Sequence, residues 1–187
     1  MEVVAFDLHP DEASAKALSF RYCRLADVLA QADVVTLHVP ATPKTHHLIS
    51  DREFTAMKEG AVLINTARGD IVDVSALVRA LSDKKLAAAG LDVLPVEPLI
   101  RDEAEIFRTD GWDPNADLEG LLTSHVLLHF SNVIITPHIA FDTDGALQRI
   151  LDTTLSNIEA FARGRPQNVV SNAASHSDGA LGSKARA

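Results

Sequence analysis

The sequence of 187 residues predicts an α/β fold built on a doubly wound, mostly parallel sheet. Short apolar runs rich in β-branched residues alternate along the chain with segments of helical period, which is typical of strand–helix–strand units. Most of these runs are continuously apolar, as expected for parallel strands that helices cover on both faces. These two observations define the fold class.

Six apolar runs are predicted to be strands: Val3–Phe6, Phe20–Cys23, Val34–Val39, Ala61–Asn65, Ala88–Leu91 and Val133–Thr136. The helices between them have recognisable ends. The segment Ser50–Glu53 has the spacing of a capping box, and Asp73 is predicted to cap a helix over Ala76–Leu81. A longer helix is predicted from Thr143 to Gly164, because its apolar residues fall on one stripe.

Two segments interrupt this alternation. Residues 98–131 form a long insertion between two predicted strands, and connections of that length are usually functional or specific to a family. Residues 171–187 are rich in Ala, Ser and Gly and have too little apolar content to pack, so we expect a disordered tail. Residues 1–170 are therefore expected to form one domain.

Composition excludes several classes of function. The formal net charge of -9 argues against nucleic acid or an anionic membrane as a partner, because both require a basic surface. With a single cysteine, no internal disulfide and no cysteine cage for a metal can form. His125 and His129 have i, i+4 spacing but no third ligand nearby, so we expect no metal site. The sequence has no basic leader and no membrane-length apolar stretch, which predicts a cytoplasmic protein.

Ligands of parallel sheets bind at the carboxyl ends of the strands, and the predicted strands here are followed by residues capable of chemistry. Asp7 either caps the next helix or accepts hydrogen bonds from a ribose. Arg68 is either a surface residue or a clamp for an anion, and the Gly69 beside it indicates a crowded backbone. His138 is either structural or a general acid/base, and Glu97 matters only if it reaches that histidine.

Four segments together resemble a known family: His38–Thr42, Ile64–Gly69, Ala89–Val93 and Ile135–Ala140. In order and spacing they are similar to the D-isomer-specific 2-hydroxyacid dehydrogenases over residues 1 to about 170. The resemblance implies a Rossmann-like dinucleotide-binding domain. Thr45–Ile49, Phe141 and the insertion at 98–131 are most similar to the D-lactate dehydrogenase branch.

The resemblance also implies a reaction and its residues. Arg68 would hold the carboxylate of a small 2-keto or 2-hydroxy acid such as pyruvate or lactate, and His138 would exchange a proton with the C2 oxygen. Glu97 would pair with His138. NAD is the implied cofactor, and Asp7 would bind its adenosine ribose and disfavour the 2′-phosphate of NADP. The other implied cofactor contacts are Val39, Pro40, Thr45, Thr66, Ala67 and Asp92. A homodimer is also implied.

The sequence departs from the family pattern at its start. Family members carry G-x-G-x-x-G after the first strand of this domain and a substrate domain before it, whereas these 187 residues contain no such motif. The first strand and glycine loop are therefore expected to be missing, between Val3–Phe6 and Val34–Val39. We expect these two strands to be parallel in one sheet, with a gap or in direct contact. Two hypotheses follow: an N-terminally truncated dehydrogenase, or a non-catalytic remnant or interaction module of the same fold.

Overall fold

The computed structural model describes residues 1–95 and 122–170, and the chain divides into two compact units, Met1–Ala140 and Phe141–Ala187. All six predicted strands occur in the first unit: β1 (Val4–Ala5), β2 (Arg21–Tyr22), β3 (Val34–Leu37), β4 (Ala61–Asn65), β5 (Leu86–Leu91) and β6 (Val133–Ile135). The helices described in that unit are α1 (Glu12–Leu18), α2 (Leu25–Gln31), α3 (Asp51–Ala56), α4 (Val74–Ser82) and α5 (residues 122–127). The second unit contains α6 (Asp144–Ala162).

The strands form two sheets in which every pair is parallel. β1 pairs with β2, while β3, β4, β5 and β6 pair in sequential order. Within the described residues no ladder joins β1 to β3. The strands predicted for one sheet therefore belong to two, with β1 and β3 in different sheets. Because α2 contacts both β1 and α3, it connects the two sheets within one unit.

One apolar core joins alternate strand residues to helices α3 and α4. Leu63 of β4 is buried in a cluster that includes Phe54 of α3 and Leu77 of α4. Side chains on the other face are more exposed: Val34 of β3 is 53% exposed and Ile134 of β6 is 71% exposed. The expectation that both faces are covered therefore holds for one face only among the described residues of this unit.

The predicted helix caps are present and are linked to each other. The carboxylate of Glu53 accepts the Ser50 N–H at 3.3 Å, while the Ser50 hydroxyl donates to Asp73 Oδ2 at 2.9 Å. Asp73 Oδ1 accepts the Ala76 N–H at 3.0 Å and caps α4. Burial raises the pKa of Asp73, but the hydrogen bonds from Ala76 and Ser50 outweigh burial and hold that pKa below its ordinary value. One carboxylate thus fixes the starts of both α3 and α4.

The long helix of the second unit is also confirmed. Thr143 caps α6 by accepting the Ala146 N–H at 3.3 Å, and the chain leaves the helix at Gly164, whose φ of 71° suits glycine. The apolar stripe consists of exposed side chains: Leu147, Ile150, Leu151, Leu155, Ile158 and Phe161. Among residues 1–95 and 122–170, no helix combines the length and apolar character needed to cross a membrane.

Candidate active site

The strand order brings three predicted site residues to one edge of the four-stranded sheet. Arg68 follows β4, Asp92 follows β5 and His138 follows β6. Because the carboxyl ends of parallel strands share an edge, these residues lie along one rim. Arg68 and His138 come from the two strands that flank β5, so Asp92 follows the strand between them.

The loop that carries Arg68 is held by the last residue of β4. Asn65 is 1% exposed, and its Oδ1 accepts the Ala67 N–H at 3.0 Å. Its Nδ2 donates to the carbonyl of Arg68 at 2.9 Å. A buried amide that satisfies both of its polar atoms on one short loop restricts the conformations of that loop.

Gly69 fixes the far end of the same loop by close packing. A Cβ at this position would lie 2.2 Å from the carbonyl carbon of Leu94 and 2.4 Å from the nitrogen of Pro95. These are backbone atoms that cannot rotate away. The crowding that the sequence indicated beside Arg68 is therefore real, and its source is the segment that follows β5.

The Arg68 side chain extends from this loop into an exposed position. Among residues 1–95 and 122–170, its guanidinium makes one hydrogen bond, from Nη1 to the Ala67 carbonyl at 2.6 Å. The planar group has further N–H donors, and two parallel donors match the geometry of a carboxylate. Arg68 is thus placed to bind an anion from solvent.

Asp92 is buried, and its carboxylate is directed at the segment that carries His138. Oδ1 accepts the Thr136 hydroxyl at 2.5 Å and the Ile139 N–H at 2.9 Å, while Oδ2 accepts the Ala140 N–H at 2.9 Å. Burial raises the pKa of Asp92, but these hydrogen bonds and the nearby His138 outweigh burial, so the pKa lies below its ordinary value. The carboxylate is therefore ionised and anchors the segment.

His138 has an unusual backbone conformation within that segment. Its φ is 55°, in the left-handed region that non-glycine residues adopt rarely. Its N–H is shared between the Asp92 carbonyl at 2.9 Å and the Thr136 carbonyl at 3.0 Å. The Ile139 N–H on the other side of the His138 Cα donates to Asp92 Oδ1, so the conformation is held on both sides. Strained conformations that neighbouring groups enforce are common at functional sites.

Comparison with known proteins identifies the family. Residues 1–140 match the model of the D-isomer specific 2-hydroxyacid dehydrogenase, NAD binding domain. The chain belongs to this family. The matched residues coincide with the first compact unit. The expected Rossmann-like fold and the NAD-binding class of the domain are confirmed at this level.

Individual relatives agree on the fold and differ in their named substrates. The chain is 36% identical to a D-lactate dehydrogenase of Aquifex aeolicus complexed with NAD and lactic acid, with a TM-score of 0.74, covering 88% of this chain and 47% of that one. It is 39% identical to a glycerate dehydrogenase of Methylorubrum extorquens, covering 91% of this chain and 45% of that protein. A D-lactate dehydrogenase of Treponema pallidum is 35% identical over 88% of this chain and 46% of the relative. The chain thus spans about half the length of these dehydrogenases.

The structure describes two of the three predicted catalytic residues, Arg68, Glu97 and His138. Arg68 and His138 lie on one rim, as expected from the strand order. Glu97 lies outside the described residues, as does most of the insertion at 98–131 and all of the tail at 171–187. The pairing of Glu97 with His138 therefore stays a prediction.

The residues expected along the cofactor occupy the loops after β1, β3, β4 and β5. Asp7 is exposed, and its Oδ1 accepts the His9 N–H at 2.7 Å. The Thr45 hydroxyl donates to the Pro40 carbonyl at 2.7 Å and so stabilises the loop after β3, to which both residues belong. Val39 packs partly buried against the core. In the loop after β4, Thr66 is half-buried and Ala67 is buried, while Asp92 holds the segment carrying His138 as described above.

Sequence reasoning missed the polar residues that hold the site loops. Asn65 and Thr136 were placed at the ends of predicted strands and within segments that resemble the family, but neither was given a role at the site. A signal for Asn65 was present, because Asn two residues before a loop amide is typical of an Asx turn. No local signal pointed to Thr136, whose partner Asp92 lies 44 residues away.

Proposed function

We propose that the chain is the NAD-binding part of a dehydrogenase that transfers hydride between NAD(H) and a D-2-hydroxy acid or its 2-keto acid. The observation that carries the proposal is the pair Arg68 and His138, which follow the two strands on either side of β5 on loops held by buried polar side chains. Precise loops of this kind are needed for a site that orients a small substrate.

The side chains available at this rim suit the reduction of a 2-keto acid. The Arg68 guanidinium binds the substrate carboxylate through two parallel hydrogen bonds. The His138 imidazolium donates its proton to the C2 oxygen as negative charge develops there, and in the reverse direction the neutral ring accepts the proton. Glu97 is proposed to pair with His138 and to favour its protonated form.

The residues present fit part of the cofactor. The exposed carboxylate of Asp7, directly after β1, suits the ribose diol of an adenosine and opposes a 2′-phosphate. The residues proposed to line the remaining cofactor are Val39, Pro40, Thr45, Thr66, Ala67 and Asp92. When bound, NADH supplies the hydride that C2 accepts. The glycine-rich motif that holds the pyrophosphate does not occur in these 187 residues.

Within the family we propose a small substrate such as pyruvate or lactate, because Thr45–Ile49, Phe141 and the insertion at 98–131 resemble the D-lactate dehydrogenase branch and solved D-lactate dehydrogenases are among the similar structures. We further propose that residues 1–170 act as one dinucleotide-binding domain with an insertion at 98–131. The active protein is proposed to be a cytoplasmic homodimer.

The test is a steady-state assay of the full-length protein, meaning the longest open reading frame that contains these residues. NADH oxidation is followed with pyruvate, glyoxylate, hydroxypyruvate and bulkier 2-keto acids, and the chirality of the product is determined. We expect turnover with NADH, a D product and the highest kcat/KM with pyruvate. No turnover of any 2-keto acid would contradict the proposal and would favour an interaction module of the same fold.

A further inference from the structure

We propose that Asn65 is a positioning residue for substrate binding, because its side chain sets the direction in which Arg68 presents its guanidinium. The inference rests on the proposed function, which assigns the substrate carboxylate to Arg68. Asn65 itself would not contact the substrate, since it is 1% exposed and its amide is occupied by Ala67 and Arg68.

The chemistry of the contact requires an amide. The loop presents an N–H at Ala67 and a carbonyl at Arg68, so the side chain must accept at one atom and donate at another. A carboxylate offers two acceptors and no donor. Leucine has a similar shape but offers neither a donor nor an acceptor. Serine can reproduce the bond to an amide two residues ahead, but less strongly, and cannot supply the second bond.

Asn65 is itself held firmly by the sheet. It is the last residue of β4 and pairs with Leu37 of β3 on one side and Leu91 of β5 on the other. Its carbonyl also accepts the Asp92 N–H at 2.9 Å. Because Asn65 is fixed in the sheet, its side-chain hydrogen bonds hold the loop in a fixed position relative to the sheet.

The other restraints on the loop near Arg68 come from the backbone: the Arg68 carbonyl also accepts the Ile71 N–H at 3.4 Å, at the start of a 3-10 turn over Gly69–Ile71. Among the partners in residues 1–95 and 122–170, the guanidinium bonds only to the Ala67 carbonyl, which belongs to the same loop. At the far end, Gly69 is confined by the backbone of Leu94 and Pro95. Between the sheet and that contact, the Asn65 side chain bonds the peptide group that precedes Ala67 and the peptide group that follows Arg68.

Asn65→Leu and Asn65→Ser in the full-length protein test this inference. Asn65→Leu removes both hydrogen bonds without adding charge. Asn65→Ser keeps a weaker hydrogen bond from the Ala67 N–H and loses the bond to the Arg68 carbonyl. The matched control is Asn132→Leu: Asn132 also donates from Nδ2 to a backbone carbonyl, that of Ala87 at 2.8 Å, but near the opposite end of β5. Each variant is also made in an Arg68→Lys background, which retains a cation.

We expect Asn65→Leu to raise KM for pyruvate about tenfold, with Asn65→Ser intermediate and Asn132→Leu close to wild type. Because Asn65 also holds Ala67, which is proposed to line the cofactor, we expect a small rise in the Kd for NADH. Measured by fluorescence, that rise should be smaller than the rise in KM for pyruvate. In the Arg68→Lys background the Asn65 substitutions should change KM by less than about twofold, because residues that act as one unit are not additive. If Asn65→Leu does not fold, Asn65→Ser carries the same comparison.

Three results would overturn the inference while leaving the proposed function intact. They are an unchanged KM in the Asn65 variants, an equal rise in both Arg68 backgrounds, and an equal rise in Asn132→Leu. Failure of the proposed function has a different signature: wild-type protein without turnover, which removes the basis of this inference as well.

Discussion

Gly69 shows at the scale of one residue how the site loops depend on each other. Its φ is not in the left-handed region, so the reason for glycine is space and not backbone conformation. The loop after β4 and the segment after β5 approach so closely that one methyl group would meet the backbone of Leu94. The position of Arg68 and the path of the chain at Leu94 and Pro95 are therefore coupled.

Gly69→Ala should destabilise the full-length protein by about 1–3 kcal/mol, because the Cβ would overlap the backbone of Leu94 and Pro95 while the Asn65 amide and the Val72 N–H hold the Gly69 loop in place. The matched control is Gly90→Ala in β5, where the nearest atom to a Cβ is Ile64 Cγ1 at 3.9 Å. We expect that variant to stay within about 1 kcal/mol of wild type. Urea unfolding measures both, and equal stabilities of the two variants would refute the close approach.

Asp92 makes a pH-dependent contribution at the same scale. Its folded pKa is depressed, so its contribution is fully present above the ordinary value of about 3.9 and is lost as the pH falls through the lower folded value. Asp92→Asn sets an N–H donor against an N–H of the loop and should cost about 1–3 kcal/mol at pH 7. Unfolding curves at pH 7 and below pH 3 should show that the difference in unfolding free energy between wild type and Asp92→Asn becomes smaller at the lower pH. A constant difference would contradict the ionised anchor.

At the scale of elements, Asp73 joins two helices through one carboxylate. Asp73→Ala removes the cap of α4 and the acceptor of the Ser50 hydroxyl at the start of α3, and should cost about 1–2 kcal/mol. Ser50→Ala removes the same contact together with the hydroxyl that caps α3, so its cost should be similar, about 1–2 kcal/mol. Thermal and urea unfolding compare the two variants. Wild-type stability of Asp73→Ala would show that the cap of α4 contributes little.

The elements also show what the sequence could predict. β3, β4 and α4 were predictable because apolar runs and an N-cap such as Asp73 are local signals. That only one face of the sheet is buried could not be predicted, since it depends on which elements lie against the sheet. At the site, too, local signals were predictable and long-range contacts were not. The placement of Arg68 and His138 followed from strand order, whereas the contact of Asp92 with Ala140 spans 48 residues and leaves no local pattern.

At the scale of the whole molecule, the 187 residues alone should show little or no NADH-dependent reduction of 2-keto acids. They contain no glycine-rich motif for the pyrophosphate, and charge-assisted hydrogen bonds contribute about 1.5–3 kcal/mol each. Several such losses weaken cofactor binding by orders of magnitude. Fluorescence titration with NADH and the pyruvate assay compare the 187 residues with the full-length protein. Robust turnover by the 187 residues alone would show that this motif is dispensable.

The central claim is that His138 transfers the proton and Arg68 binds the carboxylate of the same substrate. The most direct test is the NADH-dependent reduction of pyruvate by full-length wild type, His138→Ala and Arg68→Ala, with His129→Ala as a control for loss of an exposed histidine. We predict that His138→Ala lowers kcat by about 10²–10⁴-fold with the Kd for NADH nearly unchanged. Arg68→Ala should mainly raise KM for pyruvate, and His129→Ala should match wild type. Retention of wild-type kcat by His138→Ala would contradict the account.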